Sequence, residues 1–188
     1  LKSKIFGLID FFNAPSALYF LQKYVTKRSK IGILGISPIW ETHKKYLKQY
    51  SATENVFEFG AGKNLAQNLF LSDTVNNQVV VDLNPMLDFE LVNNVRCQIS
   101  KIVDLKSHVK INSLVELASY GIDYRAPYDA TKTHFRDKSL SACISTVTLE
   151  HIPKESIRAI FSELYRTLKD DGIISATIDY SDHYAHTD

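Results

Sequence analysis

The sequence predicts an α/β protein: a Rossmann-like, doubly wound, mostly parallel sheet with an N-terminal helical cap. Three observations predict it. Short apolar runs of strand length recur between residues 55 and 178, separated by stretches of helical periodicity, which is the pattern of parallel strands joined by crossover helices. One of these runs, Asn55-Val56-Phe57, enters the glycine turn Glu58-Phe59-Gly60-Ala61-Gly62 and is followed directly by a helix-like run from Lys63 to Leu71. Polar or small residues then follow the strands in register, where ligands of such sheets bind.

The elements follow in order. Residues 1–52 read as amphipathic helix and form the expected cap. Asn13 caps a helix starting near Pro15, with Leu18, Leu21 and Val25 at helical spacing. Ser37-Pro38 starts a second, bearing Trp40, Lys44, Leu47 and Lys48, with a hydroxyl cap and then proline in the first turn. The catalytic-type domain is expected over 53–188. After the first strand, Gln78-Val79-Val80-Val81-Asp82 reads as a buried parallel strand. Residues 84–120 carry two helical pieces, one through Ile99, Ile102, Val103 and Leu105, the other through Leu114, Val115 and Leu117. Gly121–Tyr124 is a third strand and Ser141–Ser145 a fourth. A helix starts at Pro153, presents Ile157, Ile160, Phe161, Leu164 and Leu168 on one face, and ends at Asp171-Gly172 before a fifth strand, Ile173–Ile178.

Composition narrows the function. The chain has 188 residues, with 22 Lys+Arg against 21 Asp+Glu. That balance gives no electrostatic basis for binding nucleic acid or an anionic membrane. No run reaches the ~20 apolar residues of a membrane span. Ile5–Ile9 is broken by Asp10 and does not read as a signal peptide. Cys97 and Cys143 have no close spacing partner, and Cys143 reads as core packing, so a reduced, cytoplasmic setting is expected. The chain opens on Leu1, as a fragment or processed chain would.

The strand ends carry the chemistry. Glycines in the first turn let a ligand approach the backbone, because no Cβ stands in the way. Glu58 suits ribose hydroxyls or an ammonium and repels pyrophosphate. Asp82 lies about 24 residues after Glu58, near the ~20-residue offset of a ribose-binding acid. Asp129 follows the third strand and can accept from an exocyclic amine such as that of adenine.

On these residues the chain resembles the class I S-adenosylmethionine-dependent methyltransferases, in the small-molecule, methyltransferase-domain branch. The resembling segments are Val56–Gly62, Val80-Val81-Asp82, Tyr128-Asp129-Ala130, Leu149-Glu150-His151-Ile152-Pro153 and Leu164–Gly172. The resemblance implies S-adenosylmethionine as cofactor. It implies that Glu58 and the turn Gly60, Ala61 and Gly62 hold its amino-acid end. Asp82, with Leu83 beside it, would bind the ribose, and Asp129 and Ala130 would flank the adenine. Ser145 and Thr146 would line the methionine part and face the acceptor. Asn64 stands where such families often carry a third glycine. The link from Asp82 to the third strand is longer than usual and suggests an inserted helix near the substrate mouth. The family fold continues past the fifth strand, so C-terminal strands are expected to be missing from a chain that stops at Asp188.

Methyl transfer from a sulfonium needs mainly orientation, and a base only for a hydroxyl or protonated amine. The candidate bases are His151, His183 and His186, the first two foremost, with Asp182 and Tyr184 nearby; histidine titrates nearest neutrality. Related O-methyltransferases bind a divalent metal through Glu-x-x-Glu-His, but Val147 occupies the first Glu position here, so no metal is expected. The expected function is methyl transfer to a small-molecule acceptor such as a sugar or other metabolite. The alternatives are an NAD-dependent oxidoreductase, disfavoured by Glu58 and by Leu65 at the third glycine of G-x-G-x-x-G, and a non-catalytic cofactor-binding module.

Overall fold

In the computed structural model, residues 35–180 are described. They form α1 (Pro38–Gln49), β1 (Asn55–Phe59), α2 (Ala66–Leu71), β2 (Asn77–Val81), α3 (Phe89–Ile99), α4 (Leu114–Ala118), β3 (Ile122–Arg125), β4 (Leu140–Thr146), a 3-10 turn (Leu149–His151), α5 (Lys154–Thr167) and β5 (Leu168–Thr177). The helix expected near Pro15 lies outside the described residues, as do Asp182, His183, Tyr184 and His186.

All five strands are parallel, in the order β3-β2-β1-β4-β5. Strand alternation sends Val56, Val80, Ile122 and Ile144 into one core, packed under Leu47, Leu69, Val95 and Leu117 of the first four helices. Phe57, Phe59, Val81 and Cys143 enter a second core with Ile160 and Leu164 of α5. Burial on both faces is why Val56-Phe57, Val79-Val80-Val81 and Ala142-Cys143-Ile144 stand as short apolar runs within β1, β2 and β4. From β1 the chain moves to β2 and β3 on one side, then returns to β4 on the other. That reversal opens a crevice at the carboxyl ends of β1 and β4.

Helix α1 begins as Ser37-Pro38 announces: Ser37 Oγ accepts from Ile39 N–H at 3.3 Å, and His43 and Leu47, one turn apart, are its buried residues. Other boundaries differ from expectation. Helix α2 starts at Ala66 rather than Lys63, because Leu65 takes a left-handed φ of 49°. The first inserted helix ends at Ile99, and Ile102 is 50% exposed beyond it. Helix α5 stops at Thr167, and Leu168 opens β5 by pairing with Leu140. The reason is tertiary: the carbonyls of Arg166 and Thr167 accept from Lys138 and Ser139 N–H at 3.0 and 2.8 Å, in the segment entering β4. Pairing resumes at Ala142 with Ile173, so Lys169–Gly172 bulge from the ladder.

Candidate active site

The carboxyl ends of β1 and β2 open onto a cavity of about 450 Å³. Gly60, Asp82, Leu83, Asp129, Ala130 and His151 line it, each one a residue singled out by the sequence. Apolar walls come from Phe59, Val81, Met86, Tyr128 and Ile160, and Thr148 and Ser156 add hydroxyls. Two carboxylates in a largely apolar crevice suit a ligand that joins sugar hydroxyls to a flat heterocycle.

Asp82 sits just past β2 and is only 4% exposed. Its Oδ1 accepts from Gly62 N–H at 3.2 Å and its Oδ2 from the Tyr124 hydroxyl at 2.9 Å. Tyr124 OH in turn accepts from Met86 N–H at 3.2 Å. Burial raises the Asp82 carboxyl above its ordinary value, opposed by these donors and the Ala61 N–H. Each carboxylate oxygen has two lone pairs, so Asp82 keeps acceptor capacity for ligand hydroxyls. Tyr124 was not singled out by the sequence. The signal it carried is a tyrosine at an inward position of a strand, whose hydroxyl needs a partner when buried.

The glycine turn divides into two demands. Gly60 has φ +77°, and a Cβ there would meet Thr148 Cγ2 at 2.3 Å. Gly62 has φ +74° and open space where a Cβ would stand. Asn64, in place of a third glycine, turns inward to its own helix: its Oδ1 accepts from Ala66 N–H at 3.1 Å. The polar side chain is thus tied to the first residue of α2, and Asn64 is not among the residues lining the cavity.

Glu58 is directed away from the cavity. It is 4% exposed, and its two oxygens accept from Gln67 Nε2 at 2.9 Å and Asn68 Nδ2 at 2.6 Å. Burial pushes its carboxyl up to about 7, against the two amide donors and with repulsion from Asp82 adding to the rise. Ala61 and Gly62 border the turn without lining the cavity. Ser145 and Thr146 do not reach it either. Ser145 is 1% exposed, and its buried Oγ has no partner. Thr146 faces the helices: its Oγ1 donates to Gln67 Oε1 at 2.9 Å and lies 3.0 Å from His43 Nε2. His43 Nδ1 lies 2.7 Å from Ser175 Oγ. Burial holds the His43 imidazole down at about 4, so it is neutral near neutral pH. Thr146 has one hydroxyl proton and gives it to Gln67. With Gln67 in this orientation His43 Nε2 carries the ring proton, and the roles of the two ring nitrogens reverse if the Gln67 amide turns over. His43, Gln67 and Asn68 were missed by the sequence reading. Their signal was polar residues inside otherwise apolar faces.

Asp129 lines the cavity in an Asx-turn, its Oδ1 accepting from Thr131 N–H at 2.8 Å. Val147 leaves β4 with φ 50°, which turns the chain so that Thr148 and the 3-10 turn carrying His151 reach the cavity. Glu150 Oε1 accepts from Asp179 N–H at 3.2 Å. Among the described residues, no group of three or more His, Cys, Asp and Glu side chains is placed to hold a metal ion, and no helix is long and apolar enough to cross a membrane.

The family model of the methyltransferase domain matches residues 57–176, which contain the carboxyl ends of β1, β2, β3 and β4. The chain belongs to this family. It is the class I S-adenosylmethionine-dependent methyltransferase family, and S-adenosylmethionine is its cofactor. The residues present fit that group: buried Asp82 and the more open Asp129 offer carboxylate acceptors on the cavity wall, and Gly60 brings bare backbone to the same cavity.

Solved structures resemble the fold at low identity. A S-adenosylmethionine-dependent methyltransferase from Clostridium acetobutylicum is 13% identical, with a TM-score of 0.48 over 85% of this chain and 55% of its own. The YcgJ protein from Bacillus subtilis is 19% identical, with a TM-score of 0.44 over 71% and 50%. A phosphoethanolamine N-methyltransferase from Haemonchus contortus, in complex with phosphoethanolamine and S-adenosylhomocysteine, is 14% identical, with a TM-score of 0.45 over 76% and 27%. The chain thus spans about half or less of the length of these relatives. No curated protein matches the sequence.

Proposed function

We propose that this methyltransferase-domain protein transfers a methyl group from S-adenosylmethionine to a small-molecule acceptor, within a domain over residues 53–188 that residues 1–52 cap. The single observation that carries the reading is one cavity at the sheet reversal lined by Gly60, Asp82, Leu83, Asp129 and Ala130. Asp82 would accept from the ribose hydroxyls, with Leu83 against the sugar. Asp129 and Ala130 would border the adenine. Gly60, Ala61 and Gly62 would let the backbone approach the amino-acid end. Glu58 would act indirectly, by fixing β1 and α2 below that turn, and Ser145 and Thr146 would support the acceptor side from beneath.

The cofactor supplies an electrophilic methyl group on a good leaving group. The chain's own work is then orientation and exclusion of water, for which an apolar crevice with two fixed carboxylates is suited. His151, which lines the same cavity, is the candidate base where the acceptor is a hydroxyl, and His183 is the second candidate. The near balance of cationic and anionic residues supports a small acceptor over nucleic acid.

Calorimetric titration with S-adenosylhomocysteine tests the reading. Wild type is expected to bind it in preference to NAD, and Asp82→Ala to weaken binding by ~1–3 kcal/mol. Equal affinity in the two proteins would remove the ribose assignment, and preference for NAD would remove the methyltransferase reading.

A further inference from the structure

Ser175, His43, Thr146, Gln67 and Glu58 form one unbroken run of hydrogen bonds, with links of 2.7, 3.0, 2.9 and 2.9 Å. It crosses the buried layer from β5 through α1, β4 and α2 to β1. Its far end is fixed. Gln78 Nε2 donates to the backbone carbonyl of Asn68 at 2.9 Å, so Gln78 Oε1 must accept from Asn68 Nδ2, 3.3 Å away. Asn68 can therefore only donate to Glu58, and does so at Oε2. No such anchor fixes the other arm. Gln67 can turn its amide over, Thr146 and Ser175 carry hydroxyl rotors, and neutral His43 has two tautomers.

We propose that this arm is a reversible hydrogen-bond chain whose direction is set by the proton on Glu58 and is read out as the tautomer of His43. With Glu58 ionised, Gln67 donates to it, Thr146 donates to Gln67, His43 Nε2–H donates to Thr146, and Ser175 donates to Nδ1. With Glu58 protonated on Oε1, that hydroxyl donates to the turned Gln67 carbonyl. Gln67 then donates to Thr146, Thr146 to Nε2, and Nδ1–H to Ser175. Every link survives and none of these buried groups loses its partner. One proton enters at Glu58, and the imidazole exchanges one N–H for the other without net gain. An amide cannot relay a proton as a hydroxyl does, so the chain carries orientation between β1 and α1 rather than charge.

The ionisable neighbours leave this sense intact. Asp82 repels the Glu58 anion from the β2 end, and the Cys143 thiol on β4, pushed up by burial, stays neutral. Helix α2 offers Glu58 only amides. On α1, Lys44 is held by Asp73 at 2.6 Å. The inference does not depend on the methyl-transfer reading, since its test needs no cofactor.

The test is long-range proton–nitrogen NMR of 15N-histidine-labelled full-length protein. Glu58→Gln has its carbonyl facing Asn68 and its amide facing Gln67, which copies the protonated state. It is expected to hold His43 as Nδ1–H, whereas wild type above about pH 8 holds Nε2–H. Wild type taken from about pH 8 to about pH 6 should invert the tautomer without forming imidazolium, which keeps the test open if the variant fails to fold. Thr146→Val should uncouple the two ends, leaving one tautomer whatever residue 58 carries. The proposal is overturned if wild type keeps one tautomer across the titration, if Glu58→Gln matches alkaline wild type, or if inversion persists in Thr146→Val.

Discussion

Tyr124 donates its hydroxyl proton to Asp82 Oδ2 at 2.9 Å, joining the ends of β3 and β2 in a buried bond. The same hydroxyl accepts from Met86 N–H, so the loop after Asp82 is tied back to β3. Burial raises the Tyr124 phenol to about 12, so it stays a donor near neutral pH.

Tyr124→Phe removes both bonds while keeping the ring. It strips a donor from a carboxylate that is 4% exposed and leaves Met86 N–H without its partner. The expected loss of stability is ~1–3 kcal/mol in urea denaturation. Affinity for S-adenosylhomocysteine should fall less than in Asp82→Ala, because the carboxylate remains. A larger loss than Asp82→Ala would place Tyr124 itself against the ligand.

Glu58 and His43 should oppose each other in pH dependence. Folded Glu58 holds its proton to about 7 against an unfolded value of 4.5. Its contribution is full below 4.5 and lost as pH rises through 7. Folded His43 titrates at about 4 against 6.5 unfolded. Its contribution is full above 6.5 and lost as pH falls through 4. Each is about 3 kcal/mol, and the two slopes cancel through the shared window. Relative to wild type, Glu58→Gln should therefore gain stability as pH rises through that window, and His43→Asn should lose it. Urea midpoints in a pH series decide this, and parallel curves for all three proteins would refute it.

Legibility tracked burial geometry. Strands β1, β2 and β4 could be read because both faces are covered, which leaves short apolar runs at Val56-Phe57, Val79-Val80-Val81 and Ala142-Cys143-Ile144. Asp82 and Asp129 could be read because a parallel sheet places its ligand side at strand ends, and both line the cavity. The inward turn of Glu58 could not be read. Its partners Gln67 and Asn68 sit on a helix whose start depends on Leu65 adopting a left-handed φ and Asn64 capping Ala66. His43 lies 132 residues from Ser175, a pairing that no local pattern encodes. The α5–β5 boundary was hidden for a similar reason: helical periodicity runs on through Leu168, and only the carbonyl contacts with Lys138 and Ser139 stop the helix.

Gly60 and Gly62 should respond differently to alanine. Both hold positive φ, which alone costs about 1–2 kcal/mol for a Cβ-bearing residue. At Gly62 the space is open, so Gly62→Ala should stop near that figure while weakening S-adenosylhomocysteine binding. At Gly60 the new Cβ would also drive into Thr148, so Gly60→Ala should lose several kcal/mol in all. Adding Thr148→Ala should recover part of it, since the Thr148 Cγ2 and Oγ1 are removed while the Thr148 Cβ, at 2.9 Å, remains in the way. A thermal-denaturation double-mutant cycle with no coupling between positions 60 and 148 would contradict the contact.

His151 lines the cavity from the turn after β4, as Asp82 and Leu83 do from the end of β2. If it takes a proton from an acceptor hydroxyl, its removal should act on turnover and not on donor binding. His151→Asn keeps a polar side chain of similar reach but has no basic nitrogen. S-adenosylhomocysteine affinity should change by less than about threefold, and methyl transfer to a hydroxyl acceptor should fall ~10²–10⁴-fold. Transfer to a neutral amine, which needs no base before attack, should fall far less. Labelled-methyl transfer to paired hydroxyl and amine acceptors separates these outcomes. Equal losses for both acceptors, or a matching loss of binding, would make His151 a wall of the cavity and return the role of base to His183.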